Sequence, residues 1–330
     1  MRSQIGFITV GTIIVGAVAL LVASTAPAAA HGLVGKRFFP ATLVVDDPFV
    51  ADELGFPTVS HIKSPARGEE PATKETEFSF ELAKRITRDF GLSLEGELVV
   101  LDREHLGTLA GFRNLEIGVK YQLIKSDPHE FILTLGTGWE VGGTGRKVLE
   151  SPSFDTVKPA ILFGKGFGDL PDKLEFFKPL ALTGFVGADI PTRTSTTNTK
   201  ITFDSDSGEF EVEKEIERNP NVFRWGLVLE YSLPYLQQFV RDVGLPVPFN
   251  RIIPLVEVDF QHPLDRGQAG KFTGTVNPGF IWAGRFIQLG LEATIPVNDR
   301  TGKNVGVRGQ VHFFIDDIFP NSLGRPLFGK

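Results

Sequence analysis

Glu75-Thr76-Glu77-Phe78-Ser79-Phe80-Glu81-Leu82-Ala83-Lys84-Arg85 is the stretch on which the fold turns. Phe78, Phe80 and Leu82 fall on one face of an extended chain, and Glu77, Ser79, Glu81 and Arg85 on the other. A period of two marks a β-strand with one apolar and one polar side. Just downstream, Leu92, Leu94, Leu98 and Val100 alternate with Ser93, Glu95 and Glu97. The alternation returns from Leu115 to Leu123, with Glu116 and Lys120 on the polar side, and from Phe131 to Val141, with Glu140. It returns again at Trp225–Tyr231 with Arg224 and Glu230, and at Val256–Phe260 with Glu257 and Asp259. The last two runs are Ile287–Ile295, with Glu292, and Val305–Ile315, with Arg308 and His312. Less regular strands fall near 154–166, 180–190 and 272–282. Lys158 and Lys165 have opposite parity, which predicts a bulge or a changed exit between them, and Pro278-Gly279 suggests another bulge.

Alternation alone also suits a soluble sandwich. Three features point to a membrane instead. The segments are long, as membrane strands of about 9–11 residues must be. Their polar side carries full charges, which a barrel houses in its lumen. Connections alternate between tight (87–90, 125–129, 283–286) and long (102–112, 142–153, 191–221, 262–271, 297–304), the habit of bacterial barrels with short periplasmic turns. The long connections 166–179 and 234–250 fall on the periplasmic side and each has room for a short helix, at 172–177 and 235–242. Eleven strands are plain. An even count requires a twelfth, for which Leu54–Lys63 is the candidate. The fold expected is therefore all-β, an antiparallel transmembrane β-barrel of about 12 strands.

The chain ends fit an exported protein. Arg2, an apolar run from Ile5 to Ala23 and the small-residue site Ala28-Ala29-Ala30 read as a signal peptide over 1–30. Residues 31–53 then form a periplasmic N-terminal segment, 54–320 the outer-membrane barrel and 321–330 a periplasmic tail. Net charge is −6, which argues against a nucleic-acid binder, since that needs a basic face. With no cysteine there are no disulfides and no lipid attached through one. The 29 Phe but only three Trp and three Tyr make any aromatic girdle a phenylalanine one.

Lys158-Pro159-Ala160-Ile161-Leu162-Phe163-Gly164-Lys165-Gly166-Phe167-Gly168-Asp169-Leu170-Pro171 resembles an outer-membrane family loosely labelled putative transporter of the meta-pathway of phenol degradation. So does Gly306 to Pro320, ending His312-Phe313-Phe314-Ile315-Asp316-Asp317-Ile318-Phe319-Pro320. The resemblance covers roughly Glu75 to Pro320. It implies a barrel and solute passage, and it brings no catalytic residues.

No dinucleotide loop, Walker lysine, nucleophile elbow or zincin pair occurs, so no enzyme, cofactor or metal is expected. Asp204-Ser205-Asp206-Ser207-Gly208-Glu209 departs from a calcium loop and reads as an exposed turn. His31, once exposed as the new N-terminus, has the nitrogen donors for a divalent metal, but a single residue is no site. The functional feature is the polar face. Its acids are Glu77, Glu81, Glu95, Glu97, Glu116, Glu140, Asp189, Glu230, Glu257, Asp259 and Glu292. Its bases are Arg85, Lys120, Lys158, Lys165, Arg224 and Arg308. These predict a lumen that either conducts, as a narrow passive channel for a small solute, or is plugged by its own side chains in a structural or interaction barrel. The expected partners are outer-membrane lipid and the barrel-assembly machinery.

Overall fold

Residues 32–66, 71–149, 151–203 and 210–329 are described by the computed structural model. The signal peptide, His31 and the acidic turn 204–209 lie outside these residues. Where one face of a segment is apolar and the other charged, the chain is extended. Twelve such strands form the wall: β1 (Glu53–Ser64), β2 (Thr73–Arg85), β3 (Phe90–Arg103), β4 (Glu116–Ser126), β5 (Phe131–Glu140) and β6 (Thr156–Gly166), then β7 (Leu180–Pro191), β8 (Val222–Tyr231), β9 (Ile252–Pro263), β10 (Thr273–Ala283), β11 (Ile287–Pro296) and β12 (Gly306–Phe314). Each pairs antiparallel with its neighbours in sequence, and β12 pairs with β1. The sheet is thus a closed, all-β, antiparallel barrel of twelve strands. Closure leaves no sheet edge, which is what lipid demands of a spanning β structure. Among the described residues no helix is long and apolar enough to cross a membrane.

The outer face is apolar. Phe78, Leu94, Ile117, Trp139, Ile161, Leu229, Phe280 and Leu291 are exposed around the circumference. In water such a continuous belt would aggregate; against acyl chains it is at home. Trp225 and Phe260 stack on neighbouring strands, 4.7 Å between centroids, and His262 and Phe272 extend the stack toward the long-loop rim.

Several local expectations change. The supposed long loop 102–112 is mostly strand: Gly107–Phe112 pairs with the outer half of β3, from Arg103↔Gly107 to Leu98↔Phe112. It continues β4 above a break at 113–115. Gly107, Gly111 and the short run hide its alternation from sequence. No bulge separates Lys158 from Lys165, because β6 keeps one register against β5 from Thr156 to Lys165. Lys165 therefore does not join the inner face; its ammonium binds Asp169 and the carbonyls of His129 and Gly166 at the tight-turn rim. Nor does Pro278-Gly279 shift the register of β10. The bulges lie instead at 56–57 in β1 and at Leu123 in β4. Ser195–Phe203 and Phe210–Arg218 pair with each other and, among the described residues, with no other strand, as a hairpin beyond the long-loop rim. Short helical turns occupy Asp172–Phe177 and 233–240 on the tight-turn rim.

The largest difference concerns the N-terminal segment. The sequence places 31–53 in the periplasm, yet residues 40–52 enter the barrel. The segment is latched first at the tight-turn rim. Arg37, fully buried, binds Glu130 at 3.2 Å and the carbonyls of Lys178 and Pro179. Its guanidinium lies 3.8 Å over the Tyr235 ring, whose hydroxyl donates to Glu130 at 2.9 Å. The chain then rises, turns at 42–45 and returns to the rim, where Asp52 binds Lys84 and Arg85 at 2.7 Å each. Leu43 and Val45 complete an apolar cluster with Leu162, Phe185, Val228, Leu255 and Ile281 from the inner wall. Burial of such side chains contributes about 1.5–3 kcal/mol each. The tail folds back too: Leu327 and Phe328 donate backbone N–H groups to the carbonyls of Arg85 and Ile86.

Candidate functional site: a charged chamber above an internal plug

The tip of the inserted segment is held by polar wall residues. Glu257, on the inner face of β9 and fully buried, accepts the backbone N–H groups of Leu43 (2.7 Å), Val44 (3.0 Å) and Val45 (2.7 Å). Three consecutive amides converging on one carboxylate form an anion nest. Arg308 donates to the carbonyl of Leu43 at 3.3 Å, Gln288 to that of Ala41 at 2.5 Å and Thr134 to that of Pro48 at 2.5 Å. Gln122 accepts from the amide of Val50. Lys120 reaches from β4 to Asp46 (2.5 Å) and the carbonyl of Asp47 (2.9 Å). Burial pushes the Asp47 carboxyl up to about 7, opposed by the Lys120 ammonium.

Above this tip is a chamber of about 480 Å³. Its acids are Asp46, Asp47, Glu77, Glu81, Glu95, Glu97, Glu116 and Asp259, and its bases Lys120, Lys158, Arg224 and Arg308. Eight against four leaves an excess of four acidic groups. Lys158 bridges Glu116 (2.7 Å) and Glu140 (3.1 Å), and Arg224 meets Asp189 at 3.4 Å. Arg113, in the break of β4, gathers Glu75 (2.6 Å), Glu77 (3.3 Å) and Glu97 (3.2 Å). Burial works against the charge of its guanidinium, but the three carboxylates outweigh it and hold Arg113 above the usual arginine range.

The polar-face residues thus divide by level. Glu77, Glu81, Glu95, Glu97, Glu116, Lys120, Arg224, Asp259 and Arg308 line the chamber. Glu140 stands beside it through Lys158 and Asn114. Glu230, Glu257 and Glu292 are buried in the wall around the plug. Arg85 is at the tight-turn mouth, bound to Asp52 and the carbonyl of Gly324. Glu292 and Arg308 face each other across β11 and β12, yet Arg308 turns to the plug instead of pairing with Glu292. Sequence reasoning missed Arg113, Asp46 and Asp47, none of which belongs to an alternating run. Among the described residues no three His, Cys, Asp or Glu side chains are arranged to hold a metal ion.

No family model and no curated protein matches the sequence. Solved structures similar in fold are outer-membrane barrels. They include the NanC porin (13% identity over 78% of this chain and 98% of that one, TM-score 0.43). The KdgM porin is similar at 10% identity over 78% and 97%, TM-score 0.43. A COG4313 outer membrane channel from Pseudomonas putida F1 is similar at 14% over 80% and 95%, TM-score 0.48. None of these descriptions carries the phenol-pathway label. The closed barrel itself rests on the strand pairing above.

Proposed function

We propose that this chain is an outer-membrane channel of narrow bore that passes small polar solutes passively. The observation that carries the reading is one wall with two solvents: an apolar outer belt suited to lipid, and a charged, partly hollow interior. Its partners are then outer-membrane lipid and, during biogenesis, the barrel-assembly machinery. The N-terminal segment narrows the inner half of the lumen, so the bore is set by the space around residues 41–47. Planar-bilayer recording of the refolded mature chain tests this. Stable single-channel current is expected; a correctly folded barrel that stays silent would overturn it. That silence would favour a second reading, supported by the plug: an interaction barrel whose loops or rim helices bind a partner. No catalytic role is assigned.

A further inference from the structure

Four inner-face positions fall on one rung of the chamber wall. Glu95 of β3 is opposite Glu81 of β2, Glu81 is opposite Gly55 of β1, and Gly55 is opposite His312 of β12. Carboxylates directly opposed across strands repel and are destabilising unless a proton or a cation lies between them. Among the described residues neither carboxylate makes an ion pair. Lys120, on the same wall, is committed to Asp46 and the Asp47 carbonyl, and among the described residues Glu95 is hydrogen-bonded by the Ser93 hydroxyl alone, at 3.4 Å. His312 supplies an independent sign. It is 2% exposed, it lines the same chamber, and its Nδ1 has no hydrogen-bond partner among the described residues. Its Nε2 is 3.1 Å from the Glu53 carboxylate, which places a ring proton on Nε2; in the neutral ring Nδ1 is then an acceptor. Gly55 leaves the wall open between the carboxylates and the imidazole.

We propose that this row is a binding site for a small organic amine: a primary ammonium between Glu81 and Glu95, and a hydroxyl or amide donor at His312 Nδ1. The assignment rests on the chamber being reached by solutes, as the channel reading holds. An ammonium has three donors and no acceptor, which matches two carboxylates and a neighbouring serine hydroxyl. Neighbouring strands lie about 4.8 Å apart, so the two ends of the ligand are roughly 10 Å from each other. The chamber volume of about 480 Å³ suits a molecule of that length. A bare metal ion is the poorer fit, since no third carboxylate or imidazole converges there among the described residues.

The experiment is calorimetric titration of the full mature chain in detergent with 6-amino-1-hexanol, against 1-hexanol and 6-hydroxyhexanoate as controls. The amine is expected to bind at least about tenfold tighter than either control, as charge-assisted hydrogen bonds in a partly dry site require. Glu81→Gln combined with Glu95→Gln should abolish that margin. Gly55→Ala places a Cβ 3.5 Å from His312 Nδ1 and 3.9 Å from the Glu81 Cβ, ordinary contacts that the fold tolerates. It should weaken the amine several-fold by filling the gap. This variant decides the matter if the double variant fails to fold. Equal binding of amine and alcohol, or undiminished amine binding in the variants, would overturn the site. A silent barrel that still binds the amine would sink only the channel reading, and a conducting barrel that ignores it only the site.

Discussion

Glu257 shows how one side chain decides the state of the lumen. Its carboxylate collects three amides of the plug tip. Gln at this position keeps the shape but loses the charge, and charge-assisted bonds are roughly twice as strong as neutral ones. In Glu257→Gln the segment 40–52 should be cut faster by protease, and ionic current should rise, while the barrel still shows heat-modifiable migration. Unchanged cleavage would mean the apolar contacts alone hold the tip. Asp47 adds a pH term. Its carboxyl titrates near 7 in place, against an ordinary value of 3.8. Docking therefore gains from this proton in full below about pH 4 and loses that gain as pH rises to about 7, with no further change above. Protease sensitivity of the segment should follow that window, and Asp47→Asn should flatten it. Arg113 is the third such residue. Replacing it with Ala leaves three carboxylates facing each other in a partly wet site. A loss of about 1 kcal/mol in barrel stability, read by thermal denaturation, is expected after allowance for solvent screening.

At the scale of elements, the strands were legible because each has two unlike faces. Phe78 against Glu77 and Glu81, or Leu229 against Glu230, announces period two without any knowledge of partners. The plug was not legible. Pro40-Ala41-Thr42-Leu43-Val44-Val45 is too short and too uniform to have a period, and its acceptor lies more than two hundred residues away. Glu257 itself reads as one more lumen charge, since backbone amides leave no mark in a sequence. Arg113 escaped because it sits in the break of β4, where parity is undefined. Lys165 misled for the opposite reason: at a strand end a long side chain bends to the rim whatever its parity. The apolar contribution of the plug can be tested separately from Glu257. Leu43→Asn with Val45→Asn buries two amides in the cluster around Leu162 and Ile281. Each unsatisfied amide costs about 1–3 kcal/mol there. The segment should leave the lumen, raising conductance without disturbing the wall; an unaltered current would show that the segment does not set the bore.

For the whole molecule, the excess of acids over bases in the chamber favours cations, because a low-dielectric wall focuses the field of its carboxylates. Reversal potentials in a KCl gradient should show a modest cation preference. It should fade as the screening length shortens from about 10 Å at 0.1 M to about 3 Å at 1 M salt. Anion preference would mean the acids are neutralised in place. The chain should fractionate with the outer membrane, and recovery as a soluble protein would contradict the apolar belt.

The latch between residues 43–45 and Glu257 spans 212 to 214 residues, and that between Ala41 and Gln288 spans 247. Contacts so distant in sequence form late, after the loop entropy of the intervening chain has been lost. The wall grows by neighbour-to-neighbour pairing; only the seam of β1 and β12 is as remote. The segment that leaves the secretion machinery first is thus among the last to find its place. Refolding should resolve into an early band shift on a gel and a later protection of the amides of residues 43–45 against hydrogen exchange. Between the two, the barrel would pass through an interval in which it is closed as a sheet but still open from end to end.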